Sequence, residues 1–564
     1  MRFSEKGGDL RKERRDRILA AVMGAVVFFM LFGFSAIDIN GCRLFSEGDP
    51  CMHYLGWRFF REAPWQAKIG LMNNIHYPYS ISVIFTDSIP LMAVIFKVFR
   101  EILPEYFNYF GLWTLFSFVL QGYFAFKILS LYTGDRMLKF TGALFFILTP
   151  ALIKRCFWHT ALTSHFLILA ALLILFDKKI GKEVLRFAVL GLLCGSIHLY
   201  FLGICGMIAF FTAVDRLRRE MYSPVKCMSI PIIFGVAGAF TVWILGGFDS
   251  GMNEGAPGFG DYSFNLNSFF NGNYWSRYLN LPYYDDSQVE GFSYLGLGML
   301  AVLLISCVFI LFSFLERAGK TAGIPAEDGG KPEDSSVSVY VVLFIISLIF
   351  AVSNNITFSQ RLIFSFDISD SGPLNNLCSL FRSSGRFAWT DIYLLMTGGF
   401  FILSKAGEKF MGEKGSEGER SRRAAWIVFL LLLIYVQLSD LYPGISAKAM
   451  EIRSKEEYRN ILNDSYLDEL ASSGKYRHMV FMDKGEFTHE ELFALSFLAV
   501  DNDMTINDFE FGRQAFLNTE ELAAQSAKEP PGDCIYIFSG GSGDCSNEYP
   551  ELDLIEVDPF IVGT

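Results

Sequence analysis

The sequence Gly48-Asp49-Pro50 opens a polar stretch that closes at Thr86-Asp87-Ser88-Ile89-Pro90. Two carboxylates bracketing one loop are groups that general-base chemistry can use, since an ionised aspartate can take the proton from an attacking hydroxyl. The plainer reading makes Asp49 a turn residue before Pro50 and Asp87 part of a helix N-cap. Between them, His53 to Glu62 interleaves Trp57, Phe59 and Phe60 with Arg58 and Arg61. That mixture suits a helix at a membrane surface, with rings at headgroup level and guanidiniums facing phosphate. His53, Trp57 and Arg58 are therefore candidate substrate contacts.

Three further stretches carry comparable chemistry. Arg155 and His159 lie in TPALIKRCFWHTALTSH, where an apolar segment breaks after Pro150. A guanidinium and an imidazole at a broken apolar helix are costly unless they line a polar cavity. Arg155 is thus a candidate for donor phosphate and His159 for substrate, with snorkelling to the interface as the alternative for Arg155. His165 and His198 read as packing and structural residues. The stretch 248–293 mixes Asp261, Tyr262, Asn265, Asn267, Trp275, Tyr283, Tyr284, Asp285, Asp286 and Glu290. Aromatics with amides and carboxylates suit sugar recognition, and they equally make an ordinary wet loop. Asp261, Tyr262 and Glu290 are the substrate candidates, Glu290 foremost because it abuts an apolar segment. In 354–388, Gln360 and Arg361 precede Arg382-Ser-Ser-Gly-Arg386. Arg361, Arg382 and Arg386 are candidate phosphate ligands beside backbone amides, or else interfacial anchors of a helix end.

The elements that must position these residues are apolar. Of 564 residues, 52% are hydrophobic and 19% charged, against roughly 25% charged in soluble domains. Apolar segments lie near 18–36, 88–99, 107–127, 138–152, 160–176, 184–200, 201–214, 229–247, 294–315, 339–353, 389–404 and 424–441. Lipid leaves helices or closed barrels as the options, and the lack of alternation excludes a barrel. The first segment follows Arg11, Lys12, Arg14, Arg15 and Arg17 and is long enough to cross about 30 Å of hydrocarbon. It reads as an uncleaved first helix. The basic linkers 10–17, 177–186, 215–226 and 405–423 are expected on the cytoplasmic side. The loops 39–87, 248–293 and 354–388, and everything after Tyr442, then fall outside. Parity breaks between 87 and 177 unless 88–99 or 138–152 is short, which leaves about 11–12 crossings.

The expectation is a polytopic α-helical membrane protein of the cell membrane, residues 1–441, with a cytoplasmic N-terminus. Residues 442–564 form a small extracytoplasmic α/β domain: YRHMVFMD and CIYIFSG read as strands, THEELFALSFLAV and NTEELAAQSA as helices. The segment 317–337 reads as a flexible linker. The pairs Cys42–Cys51 and Cys534–Cys545 are placed outside, where free thiols are favoured over disulfides. The net charge of −11 gives no footprint for nucleic acid. No phosphate-binding or dinucleotide glycine motif occurs.

The motifs GDPxxxYxGWxFFRxxPW, SIxFTDSIPL, YFGLWxLxxFxLQGYF, DYSFNLNSFFN, EGFSYLGLG and RSSGRFAW together resemble a little-characterised bacterial branch of the GT-C glycosyltransferases. The resemblance implies a GT-C-like multispan enzyme that uses a polyprenyl-phosphate-linked sugar at the outer membrane face and a glycan or lipid acceptor of the cell envelope. In that superfamily an acidic residue of the first outer loop is the base, and Asp49 matches its position, with Asp87 as a second carboxylate. No cofactor is demanded. A divalent cation such as Mg²⁺ or Mn²⁺ is permitted, with its ligands unassigned. The runner-up is a secondary transporter or flippase of lipid-linked oligosaccharides, whose polar groups belong near the bilayer midplane in related halves. A third reading is a non-catalytic scaffold for envelope assembly.

Overall fold

The structure, a computed structural model, describes the chain except residues 1, 42, 46, 180, 250–257, 322–334, 369–371, 414, 416, 456–461, 463–464, 483–486, 510, 512–518 and 541–547. Cys42 and Cys545 thus lie outside the described residues, as does most of the expected linker 317–337. Cys51 and Cys534 are buried.

The long apolar segments form helices. In the first half these are α1 (Arg2–Phe32), α2 (Gly48–Glu62), α3 (Pro90–Val98), α4 (Phe110–Leu129), α5 (Arg136–Ile147) and α6 (Pro150–Arg155). There follow α7 (Phe166–Phe176), α8 (Glu183–Ile197), α9 (Tyr200–Arg218) and α10 (Pro224–Ile244). The second half adds α11 (Leu297–Thr321), α12 (Ser335–Val352), α13 (Gly372–Leu380), α14 (Ala388–Met411) and α15 (Glu419–Ser454). Among the described residues, seven helical segments are long and apolar enough to cross a membrane: α4, α9, α10, α15, the joined pair α5–α6, most of α11, and Ser384–Met411. Shorter apolar helices cover 160–176 and 336–352. The expected 11–12 crossings counted these and the 15-residue α8, as well as α1, whose charges run up to Arg17.

The parity conflict resolves on length. The nine residues of α3 rise about 14 Å, less than half of a bilayer core. Residues 136–155 run 20 residues through α5 and α6. The short segment is therefore 88–99.

Close approach of α1 and α4 depends on small residues. A Cβ at Gly24 would lie 2.1 Å from the Phe118 carbonyl oxygen, and one at Gly122 2.3 Å from that of Ala20. This is the usual way apolar helices gain contact where no water drives them together.

The helix ends sort into two groups. At one end Arg136 pairs with Asp16 at 2.7 Å, Trp426 Nε1 donates to Asp135 at 2.7 Å, and buried Arg216 joins Asp215 and Glu183. The basic linkers gather here. The opposite end holds the polar loops and the C-terminal domain.

That domain has a five-stranded sheet. Its strands follow the short pair β1 (Leu71–Met72) and β2 (Ile81–Ser82) and the hairpin β3 (Asn355–Phe358) and β4 (Arg361–Ser365). They are β5 (His478–Phe481), β6 (Thr505–Ile506), β7 (Cys534–Ser539), β8 (Leu554–Val557) and β9 (Phe560–Gly563), in the order β6-β5-β7-β9-β8. β5 runs parallel to β6 and β7, and β9 antiparallel to β7 and β8. Helices α16 (Ser465–Ser472), α17 (His489–Asp501) and α18 (Thr519–Lys528) complete it. A capping box between Thr488 and Glu491 starts α17. The expected boundary at 442 falls inside α15, which continues unbroken to Ser454. The domain docks on the loop end: Arg58 of α2 bonds Asp501 of α17 at 2.8 Å, and Ile506 N donates to Asn74 O at 2.9 Å.

Candidate active site

Asp49 stands in the first turn of α2, where the helix dipole favours a negative charge. Its Oδ2 accepts a 2.6 Å hydrogen bond from Trp158 Nε1 and lies 3.4 Å from His159 Nε2. The segment bringing these two residues in is held by Phe157 at φ +55°, a conformation rare for a bulky side chain. His53 lies four residues after Asp49, on the same face of α2. Its Nε2 is 3.9 Å from Asp87 Oδ2, and His198 Nε2 approaches Asp87 Oδ1 at 3.3 Å.

The turn carrying Asp87 is tightly constrained. Asp87 and Ile89 have φ of +51° and +53°, and a β-branched residue there is a genuine outlier. Outliers of this kind cluster at functional sites. Gly56 lets α2 lie against this turn, since a Cβ would fall 2.4 Å from Thr86 Cβ and 2.8 Å from Ser88 Oγ.

Glu290 is the hub on the other side. Its Oε1 accepts from Arg155 Nη1 at 2.8 Å, and its Oε2 accepts from Arg386 Nη2 at 2.7 Å and Nε at 2.9 Å. Arg155 Nη2 also donates to the Glu290 carbonyl at 3.1 Å, and His159 Nε2 lies 3.9 Å from Oε1. Burial by itself would push the Glu290 carboxyl up; Arg155, Arg386 and His159 outweigh it and hold it well below the usual carboxylate range. Burial lowers His53, against the opposing pull of Asp87 and Asp49, and takes His159 well below the usual range. Both imidazoles are therefore neutral near pH 7.

The glycines of EGF and RSSGR explain how the two strips meet. A Cβ at Gly385 would lie 2.5 Å from Gly291 Cα, and Gly385 N donates to Tyr262 O at 3.1 Å. Arg386 stacks 4.4 Å over the Tyr200 ring, whose hydroxyl accepts from Ser383 N at 2.8 Å. Arg382 stacks 5.3 Å over Tyr262. Among the described residues no carboxylate pairs with Arg382.

A cavity of about 340 Å³ joins these groups, lined by Asp49, Asp87, His159, His198, Tyr200, Tyr262, Glu290, Arg382, Ser383 and Arg386, with Phe511 from the C-terminal domain. Of the residues expected from sequence, Asp49, Asp87, His159, Tyr262, Glu290, Arg382 and Arg386 line it. His53 backs it through Asp87, and Arg155 backs it through Glu290.

The remaining candidates stand elsewhere. Trp57 is fully buried and donates to Phe107 O at 2.8 Å, and Arg58 is committed to Asp501. The surface expected for α2 is absent, because α17 and the loop before α4 cover it. Pro50–Arg61 are buried, and Arg61 is spent on the carbonyls of Pro104 and Glu105 at 2.7 and 2.9 Å. Arg361 is exposed on β4, and Asp261 is exposed beside Tyr262. Three contributors carried no usable sequence signal. His198 reads as structural, Trp158 drew no reading beside His159, and Phe511 lies more than 100 residues beyond the nearest lining residue.

The metal question rests on His53, Asp87 and His159, whose ligand atoms lie within 4.8 Å of one another. Both nitrogens of His53 and Nδ1 of His159 are buried without a hydrogen-bond partner among the described residues, which fits neutral imidazole ligands. Two imidazoles and a carboxylate suit a transition-metal dication better than Mg²⁺.

Helices able to cross a membrane, a polar cavity at one end and a docked α/β domain define the class of protein. The family model described as Domain of unknown function (DUF6311) matches residues 21–442, and that of the DUF6311 C-terminal domain matches 467–564. The chain belongs to the DUF6311 family, which agrees with the little-characterised branch its motifs suggested. No curated protein matches the sequence. Among solved structures it is similar to the apo oligosaccharyltransferase of Archaeoglobus fulgidus, with 10% identity and a TM-score of 0.43 over 92% of this chain and 69% of that one. It is similar also to the A. fulgidus oligosaccharyltransferase AglB in complex with an inhibitory peptide and a dolichol-phosphate, with 11% identity and a TM-score of 0.43 over 94% and 70%. ArnT of Cupriavidus metallidurans bound to undecaprenyl phosphate gives 11% identity and a TM-score of 0.43 over 97% of each chain.

Proposed function

We propose that this chain is a membrane glycosyltransferase that moves a sugar from a polyprenyl-phosphate-linked donor to a cell-envelope acceptor at the outer membrane face. The observation that carries this reading is the meeting of Asp49 and Asp87 with Arg382 and Arg386 around one cavity. Transfer of this kind needs a base for the acceptor hydroxyl and cations for the departing phosphate.

In this reading Asp49 takes the acceptor proton as the acceptor oxygen bonds the anomeric carbon and the bond from that carbon to phosphate breaks. The Trp158 N–H orients the carboxylate. Arg382, with no carboxylate partner among the described residues, is the first contact for phosphate, and Arg386 follows on the same strip. Arg155 positions Glu290, and Glu290 positions Arg386. A divalent cation held by His53, Asp87 and His159 would supply further positive charge for the leaving phosphate. Outer placement rests on the basic linkers, which gather at the end opposite the cavity.

The test is transfer of sugar from native membrane lipid extract to envelope acceptors by purified protein. Wild type should transfer, and Asp49→Asn, equally well folded by thermal unfolding, should lose at least about a hundredfold. Full activity in Asp49→Asn would move the base to Asp87. Inactive wild type under all acceptors would overturn the reading.

A further inference from the structure

The hairpin β3–β4 stands outside the cavity. Among the described residues its strands pair only with each other, and Phe358 faces Arg361 across a two-residue turn at Ser359–Gln360. All five residues of β4 are exposed, with Ile363 at 59% and Phe364 at 57%, and Phe358, Leu362 and Phe366 are exposed too. The register shift between Ile356 and Thr357 leaves Ile363 as the extra residue of a bulge; Leu362 pairs with Thr357 and Phe364 with Ile356, so those two point to opposite faces. Thr357 of β3 is buried, but β4 carries exposed apolar side chains on both faces, and a two-stranded hairpin so exposed is marginal in water.

The apolar surface does not stop at the hairpin. Exposed Phe270 lies 6.5 Å from Phe358 between ring centroids, and exposed Leu266 donates its N–H to Thr357 O at 3.0 Å. On the other side α12 ends at Val352, three residues before β3. Its outward side chains Val342, Ile345, Ile346 and Ile349 are exposed and apolar. The hairpin thus continues a stripe whose composition suits lipid.

We propose that the β3–β4 hairpin is inserted into the bilayer at the boundary between headgroups and acyl chains. Its depth follows from its backbone. The outer edge of β4 has no strand partner among the described residues, and unpaired peptide groups are not tolerated in hydrocarbon. The edge therefore stays at the wet interface while Ile363, Phe364 and Phe358 reach into the acyl layer. Arg361, beside the turn, is set to meet headgroup phosphate. The insertion also bears on the cavity. Asn265 Nδ2 donates to Ser359 O at 2.9 Å, its Oδ1 accepts from Ser359 N at 2.9 Å, and Gln288 Nε2 donates to Thr357 Oγ1 at 2.7 Å. Gln288 is two residues from Glu290, so the bilayer holds the loop that carries the hub of the cavity.

The test places an environment-sensitive fluorophore on Ile363→Cys, and separately on Phe364→Cys, in full-length protein with exposed Cys307 changed to serine. The protein is placed in nanodiscs of phosphatidylethanolamine and phosphatidylglycerol, with Glu551→Cys on the C-terminal domain as the water-exposed reference. Insertion predicts blue-shifted emission, protection from iodide, and quenching by lipid nitroxides at least about twofold above the reference, stronger for shallow than deep labels. Iodide quenching equal to the reference would overturn the proposal. So would protection from both iodide and lipid nitroxides, which would mean that protein, a second copy or a partner, covers the hairpin. Stronger quenching by deep labels would overturn the assigned depth. None of these outcomes depends on sugar transfer.

Discussion

Glu290→Gln is the substitution that interrogates the cavity most directly. It keeps the volume and removes the charge that two buried guanidiniums share, at 2.8 Å from Arg155 and 2.7 Å from Arg386. Removing one partner from a buried ion pair costs about 3–5 kcal/mol, because the remaining charge is left uncompensated. Here two charges are stranded, so the upper part of that range applies. Thermal unfolding in detergent, followed by intrinsic fluorescence, should show a clear fall in midpoint. Trp389, 5.8 Å beneath the Arg155 guanidinium, is a local reporter. A second arm makes the reasoning specific. Freed guanidiniums should take up an anion, so millimolar inorganic pyrophosphate should raise the midpoint of Glu290→Gln more than that of wild type. The double variant Glu290→Gln with Arg386→Gln should cost less than the sum of the singles, since one stranded charge is removed with its partner. A midpoint for Glu290→Gln equal to wild type, with additive singles, would refute the hub.

Other consequences are sharper in sign than in size. Trp158→Phe keeps the ring but removes the hydrogen bond to Asp49; bonds to charged groups contribute about 1.5–3 kcal/mol. Sugar transfer should accordingly fall about 10- to 100-fold with the unfolding midpoint unchanged. Gly385→Ala drives a methyl to within 2.5 Å of Gly291 Cα. Backbone on both sides cannot yield easily, so a loss of about 1–3 kcal/mol is expected, read as a lowered midpoint. At the docked domain, burial pushes the Asp501 carboxyl up, and Arg58 does not fully offset it. The folded chain then holds a proton that the unfolded chain has released, so stability from this group is greatest at low pH. It declines as pH rises from about 4 through the folded value and is level above it. Asp501→Asn should remove that slope, measured as protease sensitivity of the C-terminal domain against pH. Mn²⁺ should raise the wild-type midpoint, and His53→Ala should abolish the rise.

What the sequence made legible follows physical strength of signal. Apolar runs longer than a bilayer core read directly as helices, and the distribution of Arg and Lys sorted the helix ends correctly into two groups. Asp49, Glu290 and Arg386 were legible because a charged residue abutting an apolar helix has few inexpensive places to be. Trp57 and Arg58 were misplaced for the same kind of reason in reverse. An aromatic and basic helix looks interfacial until another domain covers it, and neither α17 nor Asp501, more than 400 residues away, announces that contact. His198 and Phe511 reach the cavity by tertiary approach alone. The boundary at 442 followed the end of hydropathy and the Pro443-Gly444 pair, whereas α15 runs on through that pair as a polar helix to Ser454.

The Glu290 cluster alters how phosphate recognition should be understood in this cavity. A sequence with Arg155, Arg382 and Arg386 suggests three equivalent anion ligands. In the structure Arg155 and Arg386 are already neutralised by a carboxylate that stays ionised at every physiological pH, while Arg382 lies over the Tyr262 face with no carboxylate partner among the described residues. A phosphate entering the cavity gains most from Arg382, and gains from Arg386 only what the shared guanidinium offers beyond Glu290. The pairing keeps Arg386 fixed against Tyr200 before any ligand arrives, so little ordering remains to oppose binding. Arg382→Gln should therefore weaken lipid-phosphate binding more than Arg155→Gln does. The Arg155 variant should lose mainly stability. Equal losses of binding in the two, measured by inhibition of transfer with added polyprenyl phosphate, would mean that Glu290 releases its partners on binding and that the cavity rearranges around the donor.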